Sequence, residues 1–475
     1  MLPVVTDAQG QTPRPRWGRG DVIALVFIVI VGAFLRFADL GDPATIMFDE
    51  VHYVKDACWY VEGDARLCET DHDLNYVHPP LGKWLLGFGI GIFGHDAFGW
   101  RFMAAMAGSL TILVLFLLAR RLLRSTIAAS LAAGLLAVDF LHFVQSRIAM
   151  LDIFVPMFGM AAILFAVYDR DRLIDGRAQR RGLLRRPWRF AAGAAAGAAL
   201  ASKWSGVFFV ILVIVLTVVS EIAARRGGDK GWFRRGLREE GPSVVLALVI
   251  LPLIVYVAAY VGRFDAPMLA MPWTQGSFWR SIWDQQFVML DWHTRGIGSQ
   301  LHPYASPPWS WPLLKRPVSY FFETTPSGEY MEVVAIGSPL VWWASLVALV
   351  YTAISWFRDR RLGNAAGLIA GGFLINYVPW VIQQTEREAV FLFYLLPSVP
   401  FMCLALGFVA ARVARAAEGK IAVGAFAAAA VVFFVFFYPV LAKVAIPQEQ
   451  WDQRIRFRDC NSTQEGGPPE GWCWI

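Results

Sequence analysis

Asp49 and Glu50 stand side by side, with Ile46-Met47-Phe48 before them and Val51 after. Two adjacent carboxylates among apolar neighbours are costly unless they are paired or used, and burial raises their pKa values. A carboxylate raised in this way suits a general base that takes a proton from a hydroxyl; the plainer alternative is a solvated loop pair. The same stretch continues with His52, Asp71-His72-Asp73 and His78-Pro79-Pro80. A later stretch holds Asp291-Trp292-His293, His302-Pro303-Tyr304 and Trp309-Ser310-Trp311-Pro312. Glu50 and His52 with His72 or His78 have the ligand types of a divalent-metal site, but no spacing here is diagnostic.

Several cations stand where they can answer those carboxylates. Arg36 ends the first apolar run and Arg101 begins the second. Arg147 lies five residues before Asp152, Lys203 sits between two further runs, and Arg387 adjoins Glu388. Ionisable residues at the edge of an apolar span are functional candidates. The alternatives are ion pairing with Asp49, Glu50, Asp152 or Glu388, or snorkelling to lipid headgroups. Taken together they suit an amphipathic lipid whose phosphate sits at the membrane surface, with a sugar projecting toward the carboxylates. A glycosyl phosphate is already activated. An enzyme acting on it must add a base for an acceptor hydroxyl, cations for the developing phosphate charge, and placement.

The elements that must hold these residues are membrane helices. The 475 residues are 57% hydrophobic and only 17% charged, whereas a soluble chain is about 25% charged. The apolar residues come in blocks of about 20, the length that crosses a hydrocarbon layer, and inside it each block must satisfy its own backbone as a helix. Eleven spans are predicted, near 21–39, 100–119, 126–143, 147–168, 190–203, 205–222, 243–262, 338–357, 365–382, 390–411 and 420–442. The first lacks a small-residue cleavage pattern and reads as a retained helix. The glycine-dotted run Leu81–Phe93 is too short to span and reads as an interfacial or re-entrant helix in the first outer loop.

Charge assigns the sides. Arg120/Arg121/Arg124, Arg170 through Arg189, Arg225 through Arg238, Arg358/Arg360/Arg361 and Arg412/Arg415/Lys420 fall in alternate loops, on the side of the Arg-bearing N-terminus. The positive-inside rule makes that side the cytoplasm. The net charge of +6 is thereby accounted for by topology, without nucleic acid. The expected organisation is a cytoplasmic tail 1–20, a membrane module 21–442 with outer loops 40–99 and 263–337, and an outer tail 443–475. Six of the seven histidines then lie in outer segments, with His142 at the outer end of the third span. Cys58 and Cys68 share one outer loop and Cys460 and Cys473 the outer tail, as two disulfides would in an oxidising compartment, while Cys403 lies within a span.

Phe48-Asp49-Glu50 with His52-Tyr53, then His78-Pro79-Pro80-Leu81-Gly82-Lys83, resembles the protein O-mannosyltransferases of the GT-C glycosyltransferase superfamily. So do Gln145-Ser146-Arg147-Ile148-Ala149-Met150-Leu151-Asp152 and Ser202-Lys203-Trp204-Ser205-Gly206. Ser310-Trp311-Pro312-Leu313, Pro379-Trp380, Arg387 and Tyr394-Leu395-Leu396-Pro397 continue the pattern in order. The resemblance implies an all-α GT-C bundle that moves mannose, with inversion, from a polyprenyl-phosphate carrier to Ser or Thr hydroxyls of secreted polypeptides. It implies no metal. It makes Asp49 the base, Glu50 its neighbour in positioning, and Arg36, Arg101, Arg147, Asp152, Lys203 and Arg387 the donor side. His52, His78, His302 and Trp311 are the candidates for holding sugar or acceptor.

Eukaryotic members carry a β-trefoil domain in the loop that here spans 263–337, which is too short to hold one. The chain therefore resembles a bacterial, actinobacterial-like member of the plasma membrane, using a carrier such as decaprenyl phosphate, with the secretion channel an expected neighbour. The family's His-Tyr-Leu-Pro run reads Phe393-Tyr394-Leu395-Leu396-Pro397. Two other readings stand beside this one. One is a GT-C transferase acting on a glycan, lipid or cell-wall polymer. The other is a secondary transporter, against which the ionisable residues cluster at one surface and not at the midplane.

Overall fold

The computed structural model describes residues 17–63, 66–69, 75–174, 185–225, 231–261, 277–296, 302–359, 364–383, 389–457, 460, 467–469 and 471–474. Asp71-His72-Asp73 and Arg387-Glu388 lie outside the described residues.

Helix α1 (Arg19–Phe37) leads into a loop holding α2 (Glu50–Glu62) and α3 (Leu81–Phe93). After Asp96, whose carboxylate caps Gly99 N at 2.8 Å, comes α4 (Ala97–Leu123). Then follow α5 (Thr126–Ala137), the short α6 (Phe140–Gln145), α7 (Phe154–Ile174) and α8 (Pro187–Ser202). A 3-10 turn, Trp204–Gly206, opens into α9 (Val207–Arg225). Helices α10 (Trp232–Val245) and α11 (Leu251–Ala258) are joined through a π-helical segment, Leu246–Ile250. The second long loop supplies α12 (Phe278–Asp291) and the strands β1 (Val318–Thr324) and β2 (Tyr330–Ala335). Next come α13 (Pro339–Asp359), α14 (Ala365–Gln383), a 3-10 segment Leu392–Ser398 continuing into α15 (Val399–Val413), α16 (Ala417–Leu441) and α17 (Gln448–Asp452).

Among the described residues eight helical stretches are long and apolar enough to cross a membrane. They coincide with eight of the predicted spans. The other three regions, near 126–143, 147–168 and 190–203, are helical but shorter or more charged. The first is broken at Asp139, whose carboxylate caps His142 N at 3.0 Å and so starts α6. Residues 146–153 form a non-helical crossover, and α7 begins only at Phe154 and carries Tyr168-Asp169-Arg170-Asp171-Arg172 in its last turns. Helix α8 is thin because its alanines and glycines admit a close neighbour. A Cβ on Gly193 would lie 1.7 Å from Ala247 O of the π segment. The run Leu81–Phe93 is one helix with the expected bounds.

The expectation of an all-α chain is corrected, because β1 and β2 form an antiparallel hairpin, from Val318↔Ala335 to Thr324↔Tyr330, with an irregularity between Ser319 and Phe321. Its turn is closed by Gly328 at φ 82° and by Thr325 N donating to Glu329 O at 2.8 Å. That irregularity and the apolar pair Phe321-Phe322 hide the alternation that marks a strand.

The bundle has two unlike ends. At the end where α1 begins, Arg120 pairs with Asp21 at 2.6 Å, and Arg186 and Arg189 gather Asp169 and Glu240. At the other end the two long loops and the tail meet. Gln285 donates to Tyr76 O at 3.1 Å, Tyr330 bridges Ile446, and Trp474 donates to Leu314 O at 2.9 Å. Disulfides Cys58–Cys68 and Cys460–Cys473 brace the first loop and the tail, while Cys403 is buried. Losing the cross-link between Cys58 and Cys68, 10 residues apart, should cost about 3 kcal/mol of unfolded-state entropy. Cys58→Ser is therefore expected to lower Tm in detergent, and an unchanged Tm would show the loop is held by packing alone.

Candidate active site

The adjacent carboxylates Asp49 and Glu50 have opposite surroundings. Glu50, the first residue of α2, is fully buried. Its Oε1 accepts from Arg101 Nε and Ala149 N, and its Oε2 from Arg101 Nη2 and Met47 N, all at 2.8 Å. Arg101 spends its remaining donors on Pro43 O at 2.6 Å, Thr45 O at 2.9 Å and Leu40 O at 3.4 Å. This buried fork ties loop 40–49 to α4 and to the crossover before α7. It leaves no N–H of Arg101 for a ligand, and no lone pair of Glu50 obviously spare.

Asp49 ends the loop one residue earlier and is half-buried, and its side chain makes no capping hydrogen bond. Burial raises its carboxyl to about 6, with Lys203 opposing that shift and Asp152 adding to it. Lys203 follows the end of α8, and its ammonium donates to both Asp152 oxygens, at 2.9 and 2.8 Å. It also lies 5.0 Å from the centre of the Tyr394 ring. Asp49, Asp152 and Lys203, from three separate segments, thus form one charged group.

Lys203 opens onto a cavity of about 320 Å³ whose polar lining includes His78, Trp204, His293 and Tyr394. Its apolar lining includes Phe208, Leu290 and Trp380, from α9, α12 and α14. The His78 ring lies 5.8 Å from Tyr53 and 5.5 Å from His293, which in turn lies 5.6 Å from Trp204. A cation together with aromatic and aliphatic lining suits an anionic head on an apolar tail.

Two tyrosines that sequence reasoning did not single out complete the charged group. Tyr53 lies one turn into α2, and Tyr320 reaches in from β1 to accept from the Gln145 amide at 2.6 Å. Burial first, then the charges of Asp49 and Asp152, push both hydroxyls well above the usual tyrosine range, so both stay protonated. Tyr53 carried a signal in its motif. Tyr320 carried none, since only the hairpin brings it near.

The remaining candidates are dispersed. Arg36 is fully buried, donating to Ser146 Oγ at 3.2 Å, Gly32 O at 2.9 Å and Ala137 O at 3.2 Å, and meeting His142 Nδ1 at 2.8 Å. Arg147 caps the end of α1 through Leu35 O and Arg36 O at 3.1 Å and Asp39 O at 3.1 Å, with a further bond to Ala38 O. Both are framework arginines in this geometry. His52 is exposed and does not line the cavity. His302 accepts from Tyr304 N at 3.1 Å and packs on Phe391, and Trp311 is buried, donating to Ser306 O at 3.0 Å. Trp311 reaches the cavity only by backing Trp380 and Tyr394, 6.2 and 6.1 Å away. Of the four expected sugar or acceptor contacts, His78 alone lines the cavity. Arg387 and the metal candidate His72 lie outside the described residues, among which no three His, Cys, Asp or Glu side chains converge.

Residues 91–265 match the family described as dolichyl-phosphate-mannose-protein mannosyltransferase. Residues 278–459 match the C-terminal four-transmembrane region of protein O-mannosyltransferase. The chain is 31% identical to the polyprenol-phosphate-mannose–protein mannosyltransferase of Mycobacterium tuberculosis, over 92% of this chain and 91% of that one. It is 30% identical to the protein of the same name from Mycolicibacterium smegmatis, over 90% of each. In fold it is similar to the S. cerevisiae Pmt1–Pmt2 complex bound to the sugar donor, with TM-score 0.75 and 16% identity over 96% of this chain and 94% of that one. It is also similar to ArnT from Cupriavidus metallidurans bound to undecaprenyl phosphate, with TM-score 0.53 and 19% identity over 90% and 71%.

Proposed function

Because this chain belongs to the protein O-mannosyltransferase family, we propose how its residues divide the work of moving mannose from a polyprenyl-phosphate carrier to a protein. It is a membrane glycosyltransferase, with polyprenyl-phosphate-mannose as donor and a polypeptide as acceptor. Asp49 is the base. The observation that carries this is the contrast within one carboxylate pair: Glu50 is saturated by four hydrogen bonds, while Asp49 has a raised pKa beside an ammonium.

In the reaction, Asp49 takes the proton of a Ser or Thr hydroxyl. The freed oxygen attacks the anomeric carbon from the face opposite the phosphate, and the bond from that carbon to the phosphate oxygen breaks. The configuration inverts, and the carrier phosphate leaves with one more negative charge. Lys203 lies where that charge develops, and the pairing with Asp152 holds it there. The prenyl chain runs along Phe208 and Trp380, and His78 borders the sugar. Glu50 and Arg101 position the base and the crossover without touching substrate.

The topology that goes with this chemistry has eleven spans, a cytoplasmic N-terminus, an external C-terminus and the loop-rich end outside a bacterial plasma membrane. Arginines gathered at the end where α1 begins support it. Acceptors then arrive as secreted chains, with the secretion channel as a neighbour.

Radiolabelled polyprenyl-phosphate-mannose supplied with a Ser/Thr-rich peptide tests the reading, and label passing to a glycan or lipid instead would replace the acceptor class. Lys203→Met is expected to weaken transfer by about ten- to a hundredfold, the worth of one charge-assisted hydrogen bond, mostly in the donor KM. Lys203→Arg should recover part of it. Equal activity in all three chains would remove the phosphate from Lys203.

A further inference from the structure

Helix α12 sorts its side chains into three sectors, one more than a helix lying on protein in water needs. One sector is buried: Ser281, Ile282, Gln285 and Met289 face the bundle. A second is charged and faces solvent: exposed Arg280 pairs with the partly exposed Asp284, and exposed Asp291 with Arg295 of the π-helical turn that follows, each across a single turn. The third is exposed and apolar: Trp279 is 67% exposed, Trp283 64%, Phe287 53% and Leu290 49%. At 100° per residue these four fall within about 80° of arc, and the charged sector is centred about a quarter-turn away.

The docking of the buried sector is specific. Gln286 bonds Tyr256 and Tyr260 at the end of α11, and Gln285 and His293 reach the backbone of Tyr76 and Val77 in the first loop. Helix α11, to which Gln286 bonds, itself exposes the apolar Leu253 and Ile254, with Val261 exposed just beyond its end. The 14 residues of α12 extend only about 21 Å, short of the roughly 30 Å hydrocarbon layer, so the helix is too short to cross it. Leu290 belongs both to this stripe and to the wall of the cavity that holds Lys203.

We propose that α12 lies in the plane of the leaflet at the loop-rich end, its tryptophan stripe in the acyl chains and its charged sector in water. It forms the lateral rim over which a lipid-borne donor slides into the cavity. The second half rests on the transferase reading; the first does not.

The test uses the full chain in phosphatidylcholine–phosphatidylglycerol vesicles. In a Cys403→Ala background, the single substitutions Trp279→Cys, Trp283→Cys, Phe287→Cys, Asp284→Cys and Asp291→Cys are labelled with an environment-sensitive fluorophore. Labels at 279, 283 and 287 are expected to emit in the blue and to be quenched by nitroxides on lipid acyl chains. Those at 284 and 291 should be quenched by aqueous iodide instead. Stripe labels that respond to iodide like the other two would overturn the placement. So would blue emission without acyl-chain quenching, since a protein partner would then cover the stripe. Separately, Trp283→Asp should raise the KM for a long-chain polyprenyl-phosphate-mannose several-fold, keep kcat, and leave a water-soluble short-prenyl donor unaffected. Equal loss with both donors would overturn the route. An unsubstituted chain that transfers nothing would overturn the transferase reading instead, and the spectra would still decide the helix.

Discussion

Asp49→Asn is expected to lower kcat by about 10³-fold, the middle of the range for removing a positioned general base, with the donor KM nearly unchanged because Lys203 stays in place. The pH profile should identify the group. Burial raises the Asp49 carboxyl to about 6, against an ordinary value of about 3.9, so kcat/KM should fall with the ionised fraction as pH drops through 6. Lys203 pulls that value down and Asp152 pushes it up. Lys203→Met should therefore move the acidic limb to higher pH, and Asp152→Asn should move it lower. Stability gives an independent check. The folded chain holds this proton more tightly than the unfolded one, so the ionised carboxylate opposes folding once pH exceeds the window from about 4 to 6. Asn removes that charge, and Tm at neutral pH should not fall. An Asp49→Asn chain of normal Tm and near-normal turnover would take the proton away from this residue, and a profile flat to pH 5 would do the same.

Much of this was legible because hydrocarbon constrains a chain so strongly. Eight predicted spans recur as long apolar helices, and Leu81–Phe93 recurs with the same ends. Two of the other three are broken where polar residues interrupt: Asp139 starts a new helix, and the crossover around Ser146–Ile153 is pinned by Arg147 and by Ala149. The third recurs as the short helix α8. Carboxylates and cations could be recognised as site material from type and context. Which of them were already occupied could not, because that depends on partners far along the chain. Arg101 is 51 residues from Glu50, and Arg36 makes its bonds with Ser146 and His142, more than 100 residues away. Tyr320 was invisible for the same reason, being delivered by a hairpin whose apolar alternation is broken. Helix α12 escaped because its apolar residues form a stripe and not a run, and single tryptophans at an interface are ordinary.

The largest expected loss of stability follows from separating the two residues that most resemble catalytic ones. Glu50 and Arg101 are both fully buried, and each satisfies the other through two bonds of 2.8 Å. Glu50→Ala would leave a guanidinium in the protein interior with only carbonyls around it, and breaking a buried pair on one side costs about 3–5 kcal/mol. Arg101→Ala should cost a similar amount by stranding the carboxylate. Removing both groups leaves neither charge unpaired, so Glu50→Leu with Arg101→Met should be more stable than either single variant, a coupling readable as non-additive changes in Tm. Activity should not return with stability. Met47 N and Ala149 N both bond to Glu50, so its loss frees the loop that presents Asp49 and the crossover that presents Asp152. The expected signature is thus a double variant that folds, binds donor weakly and transfers slowly, beside an Asp49→Asn chain that folds and binds normally and does not transfer. A Glu50→Ala chain with unchanged Tm and abolished transfer would reverse the assignment and put Glu50, not Asp49, at the acceptor hydroxyl.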